Sequence, residues 1–140
     1  FKLANLIDGA LPVGYEVIEA WAWKPSEDEF IPDLIVFDAT DEQVRYTGTP
    51  HLAVEILSTD LARDMIHKAW KYAAAGLERY WIVNPGDAGE VTVDGVPELI
   101  EYRSVDGVFV EQGRYQPGDE VSLEVAPDIS VHIDPAIFLD

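Results

Sequence analysis

The stretch LAVEILSTDLARDMIHKAWKYAAAGLERYWIV, residues 52–83, decides the fold. Leu52 to Leu57 is a near-continuous apolar run of strand length, the pattern of a strand buried on both faces, and one charge, Glu55, interrupts it. Ser58 to Asp60 supply candidate N-caps for a helix from about Leu61 to Ala75, and Gly76 is placed to end it. Arg79 to Val83 then reads as a further strand. Strand, helix and strand in this order predict a mixed sheet with a packed helix.

The helix is amphipathic. At about 100 degrees per residue, Leu61, Ala62, Met65, Ile66, Ala69, Tyr72 and Ala73 gather into one apolar stripe. Lys68 falls about 20 degrees from Leu61 on that wheel, so its stem can follow the buried face while its ammonium reaches toward the strand ends. Asp64 lies one turn before it and Tyr72 one turn after. Arg63, His67 and Lys71 make a basic ladder on the opposite face.

Upstream, Ile31 to Phe37 has the same apolar texture and carries Asp33 directly after Pro32. Tyr15 to Trp23 alternates as a strand, with Tyr15, Val17, Glu19, Trp21 and Trp23 on one face. Downstream, AspGly at 94–95, AspGly at 106–107 and GlyAsp at 118–119 punctuate short β-rich runs, which predicts a C-terminal hairpin or meander region. The closing PDISVHIDPAIFL is expected to add one strand and a short turn. The fold class is therefore α/β in the α+β sense, and the 140 residues, 48% hydrophobic, suffice for one domain over 1–140. The chain opens on Phe1 rather than Met, so an upstream segment is expected.

Composition narrows the function. The chain has no cysteine, which excludes disulfides and thiolate-bound zinc and fits a cytoplasmic protein. No apolar run reaches the roughly 20 residues of a membrane span. Nine Lys and Arg against 27 Asp and Glu give a net charge of −18, a field that repels polyphosphate. Any DNA binding must be local, and Arg63, Lys68, Lys71 and Arg79 cluster in or just after the helix. The histidines have no metal-ligand spacing, and no glycine-rich phosphate loop occurs. Core packing is the favoured role of Trp21 and Trp23 over base stacking.

Asp33 and Glu55 are the candidate functional pair. A carboxylate in an apolar strand costs several kcal/mol unless a cation, a metal or strong hydrogen bonds offset it. Two of them near one lysine point to a divalent-metal centre. Each has a structural alternative: Asp33 opening a strand after Pro32, Glu55 paired with an arginine such as Arg79, and Lys68 and the ladder as solvated helix surface.

The order PDLIVF, LAVEILS and RDMIHKAWKYAAAGLERYWIVNP resembles the Uma-two family of restriction-endonuclease-like proteins within the PD-(D/E)XK nuclease superfamily, from about Leu11 to Leu139. The spacing Asp64, Lys68, Tyr72, Gly76 followed by ArgTyrTrpIleVal is its most specific part. The resemblance implies a restriction-endonuclease-like sheet and a DNA endonuclease dependent on Mg²⁺ or Mn²⁺. It implies Asp33, Glu55 and the Ile56 carbonyl as metal ligands, and Asp33, Glu55 and Lys68 as the catalytic set. The superfamily lysine two residues past the strand acid falls here on Leu57, and Lys68 on the helix takes its place. Asp64 and Tyr72 become supports for Lys68, Arg63, His67 and Lys71 become DNA contacts, and a homodimer is implied by two-strand cutting. A further acidic position of the family is expected upstream of Phe1. The rival reading is a catalytically inactive nuclease-like fold that serves as a protein-interaction module.

Overall fold

The computed structural model describes residues 2–57, 62–85 and 96–139, with side chains at 62–67 and 139 outside that description. The chain runs through helix α1 (Lys2–Ala10), strands β1 (Tyr15–Glu19), β2 (Leu34–Asp38) and β3 (Leu52–Ile56), helix α2 (Ala62–Ala74), strands β4 (Arg79–Asn84), β5 (Glu98–Val105), β6 (Val108–Tyr115), β7 (Val121–Ala126) and β8 (Ile129–Ile133), and a closing 3-10 turn at Pro135–Leu139. Strands β1 to β6 form one sheet in chain order, and β7 and β8 form a separate hairpin. All neighbours in the large sheet are antiparallel except β3 and β4, which run parallel with Glu55 opposite Ile82. Helix α2 connects that parallel pair, as a crossover must. The expected mixed α+β architecture is the one adopted.

Period-two alternation sends successive side chains to opposite faces and builds two cores. Ile35, Phe37, Ala53, Leu57, Tyr80 and Ile82 face one side, where Tyr72 of α2 and the aromatic rings of Trp23 and Phe30 cover them. Leu34, Val36, Leu52, Val54, Trp81 and Val83 face the other, beneath Leu3 and Ile7 of α1 and Leu123, Val125, Val131 and Ile133 of the β7–β8 hairpin. Burial of every β4 position and of all but the last residue of β2 and of β3 explains why those segments read as near-continuous apolar runs.

Two differences from the sequence reading have local causes. Helix α1 was not among the expected elements, although Leu3 and Ile7 stand at the i, i+4 spacing that buries one face. The expected strand 15–23 stops at Glu19, because Ala20 adopts a left-handed φ of 52°. This kink moves the apolar set across the sheet: Val17 packs with the α1 side, Trp21 and Trp23 with the α2 side. The chain then regains only single bridges from Trp23 to Phe30 and Tyr46. The N-caps at 58–60 and the AspGly turn at 94–95 lie outside the described residues. Gly76 does close α2, at φ 98°, and Asp106 and Gly107 both take positive φ between β5 and β6, as a two-residue hairpin turn requires.

Arg79 settles which face carries structural charge. It is 4% exposed and sits on the α1 side of β4, where Nε donates to Glu124 at 3.0 Å and Nη1 to the His51 carbonyl at 3.3 Å. Arg103 joins the same carboxylate at 3.0 Å. Removing the buried cation leaves its acceptors bare, a change that costs several kcal/mol in dry surroundings and less here because Glu124 is about one-third exposed. Arg79→Met is expected to lower stability by roughly 2–3 kcal/mol in chemical denaturation while leaving divalent-metal binding unchanged.

Candidate active site

Three segments meet at one end of the α2 face. Asp33 precedes β2, half-buried, and its Oδ2 accepts the Ile56 amide at 2.7 Å. Backbone N–H and C=O of one residue in an extended strand point to the same side. The Leu57 amide turns the opposite way, to the Val83 carbonyl at 2.8 Å. The Ile56 carbonyl is thereby on the Asp33 side of β3.

Glu55 is 3% exposed and shares its face with Ala53 and Leu57. Its Oε1 accepts the Tyr72 hydroxyl at 2.5 Å. Burial pushes its carboxyl up to about 7, against the lowering effect of the Tyr72 hydrogen bond. The neighbouring Asp33 carboxyl raises it further, and the Lys68 charge pulls it down. Tyr72 is wholly buried, its phenol held far above the usual range by that burial and by Glu55. Lys68 is half-buried on α2.

Hydrogen bonds thus join Asp33 to Ile56 and Tyr72 to Glu55 at successive positions of β3, and the Lys68 charge acts on Glu55 from α2. Tyr72 bonds directly to the strand carboxylate, whereas the sequence suggested it as a support for Lys68. The backbones of Arg63, Asp64 and His67 lie in α2, and their side chains are outside the described residues; Lys71 is exposed on the same helix. The salt bridge from Glu55 to Arg79 that the structural alternative required is absent from the described residues. β4 sends Arg79 to the face opposite Glu55, and Glu124 and Glu78 take its charge. Trp21 and Trp23 are packing residues: Trp23 is 0% exposed and its Nε1 donates to the Gly48 carbonyl at 2.8 Å.

The donor set fits a small hard cation. Among the described residues no cluster of three or more His, Asp or Glu groups gathers for a metal. Mg²⁺, however, takes one or two carboxylates and keeps several waters. The buried Glu55 carboxyl and the half-buried Asp33 carboxylate, with the Ile56 carbonyl on the same edge, are oxygen donors of the kind such an ion takes. Sequence reasoning passed over Tyr80, whose buried hydroxyl has no hydrogen-bond partner among the described residues. Its strand run RYWIV gave no sign of a polar role.

The fold has solved counterparts. A structure described as a putative nuclease belonging to DUF820 from Anabaena variabilis matches with a TM-score of 0.71 and 14% identity, covering 98% of this chain and 75% of that one. At that identity the likeness is one of fold. No curated protein matches the chain. Residues 2–136 match the model of the Uma2 family, described as "Putative restriction endonuclease". With a match over nearly its whole length, the chain belongs to the Uma2 (Uma-two) family.

Proposed function

We propose that the protein is a divalent-metal-dependent endonuclease that hydrolyses DNA phosphodiester bonds, with Asp33, Glu55 and Lys68 as its catalytic groups. The observation that carries this reading is the buried Glu55 carboxyl, which accepts the Tyr72 hydroxyl at 2.5 Å, beside Asp33, whose carboxylate accepts the amide of Ile56, the residue after Glu55, at 2.7 Å. Family membership and the nuclease-like fold support the same reaction class. Asp33, Glu55 and the Ile56 carbonyl would hold Mg²⁺ or Mn²⁺, which when bound activates water and offsets charge on the phosphoryl oxygens.

The chain's own groups do the rest. The Ile56 amide fixes the Asp33 carboxylate, and the Tyr72 hydroxyl fixes Glu55, so both are pre-oriented. Lys68 supplies a fixed cation for the attacked phosphate or its attacking water. Asp64 is assigned a supporting role, and Arg63, His67 and Lys71 the local phosphate contacts that an acidic chain needs. Cutting both strands calls for two symmetric sites, hence a homodimer, and the cytoplasm is the proposed setting.

Plasmid DNA incubated with the full chain and Mg²⁺ or Mn²⁺, beside Asp33→Ala and Lys68→Ala, tests the assignment. Cleavage by the wild type and loss of about a hundredfold or more in each variant is expected. Equal cutting by all three would trace the activity to a contaminant. No cutting under either metal would leave the fold as an interaction module.

A further inference from the structure

Tyr80 is a buried polar side chain with no task in the proposed chemistry. It stands on the α2 face of β4, opposite Ala53 of β3 and two residues before Ile82, the partner of Glu55. Tyr80 and Glu55 are therefore diagonal neighbours on one face of adjacent strands. With strands about 4.8 Å apart and about 3.3 Å per residue, their Cα atoms are separated by about 8 Å, a span that two long side chains cover.

The Tyr80 ring is held from two sides. Phe109 stacks on it at 5.2 Å with an interplanar angle of 18°, and Tyr72 meets it edge-on at 5.5 Å and 85°. Tyr72 is the residue whose hydroxyl Glu55 Oε1 accepts, so Tyr80 lies against the group that holds the carboxylate. Packing of this kind needs only a phenylalanine. Tyrosine adds a hydroxyl that is buried with no hydrogen-bond partner among the described residues, a costly state in a closely packed core.

The residue is 0% exposed, so whatever satisfies that hydroxyl is enclosed with it. Glu55 is the acceptor nearest to hand. Burial above all, and then the Glu55 charge, hold the Tyr80 phenol well above its ordinary range, which keeps it a donor at any working pH. A carboxylate offers about four lone-pair sites, and Tyr72 fills one of them.

We infer that Tyr80 is a positioning residue of the metal centre, its hydroxyl completing the hydrogen bonding of the Glu55 carboxylate through one enclosed water in the cation-bound site. The inference rests on the metal-dependent nuclease reading. A water that bridges two polar groups is nearly as good as a direct hydrogen bond, and an enclosed polar site is where such waters are kept. Two phenols, one from the helix and one from the sheet, would then fix the rotation of Glu55 and leave its other oxygen to the cation.

Calorimetric titration of the full chain with Mn²⁺ tests this, with Tyr80→Phe beside Tyr102→Phe, which removes a phenol on the same face whose ring lies 6.1 Å from that of Tyr80. Tyr80→Phe is expected to weaken Mn²⁺ binding roughly tenfold, as loss of a group that orients a metal ligand does. Its metal-free melting temperature should stay level or rise, because no hydrogen bond between described residues is lost. Tyr102→Phe should bind Mn²⁺ as the wild type does. Equal affinity of wild type and Tyr80→Phe overturns the inference and leaves the metal centre standing. So does a metal-free Tyr80→Phe protein that melts well below the wild type, since the hydroxyl would then belong to the packing of the core. Equal weakening in Tyr102→Phe overturns it as well, tracing the effect to the polarity of the whole face. No Mn²⁺ uptake by the wild type sinks the metal centre itself, and the positioning role with it.

Discussion

Glu55→Gln is expected to abolish metal-dependent cleavage, by about a thousandfold or more, while making the metal-free protein more stable at alkaline pH. The two effects have one origin. Glu55 is buried against Asp33, and its carboxyl rises from 4.5 to about 7. A group whose folded value lies above its unfolded value contributes stability that is full below the unfolded value and is lost as pH climbs through the folded one. The metal-free wild type should therefore weaken between about pH 4.5 and pH 7, by roughly 3 kcal/mol if the whole shift counts.

Glutamine reproduces the protonated acid: its oxygen can accept the Tyr72 hydroxyl and its amide can donate to Asp33. Denaturation of metal-free wild type and variant at pH 4 and pH 8 checks the claim. A flat profile for the variant and a falling one for the wild type are expected. Calorimetric titration should find Mn²⁺ uptake in the wild type only. Unchanged uptake by the variant would remove Glu55 from the ligand set.

The second large effect belongs to Trp23. It is wholly buried, with its ring 5.4 Å from Phe30 and 5.6 Å from Tyr72. Trp23→Ala opens a large cavity and strips the Gly48 carbonyl of its donor, for a loss of about 3–5 kcal/mol. Against a total stability of about 5–15 kcal/mol, this is a drop in melting temperature of roughly 10 °C or more. Trp23→Phe, which keeps an aromatic ring but not the donor, should recover part of it. Because Tyr72 packs on Trp23 and holds Glu55, the alanine variant should also lose cleavage activity in proportion to the disorder it brings to that phenol. A variant as stable as the wild type would mean that the aromatic cluster is not what holds this face.

The segments legible in the sequence were those whose local pattern and tertiary fate agree. Leu52–Ile56 and Arg79–Asn84 read as strands because both faces of each are covered, and α2 read as a helix because Ala69, Tyr72 and Ala73 have somewhere to pack. The kink at Ala20 was hidden, since no glycine or asparagine announces a left-handed residue there. Its amide bonds the Asp33 carbonyl at 3.1 Å, so tertiary contacts hold what propensity does not favour. Candidate carboxylates stood out because charge is rare inside an apolar run. Tyr72 and Tyr80 were hidden for the converse reason: a phenol in such a run looks like any other core aromatic until its hydroxyl is placed.

The six-stranded sheet works as a partition wall. On one side Arg79, Arg103 and Glu124 tie the β7–β8 hairpin to the sheet; on the other Asp33, Glu55 and Lys68 keep their own company. Swapping the hairpin for a foreign sequence, or fusing a second module through it, should thus tune how firmly the protein holds together without retuning the chemistry next door.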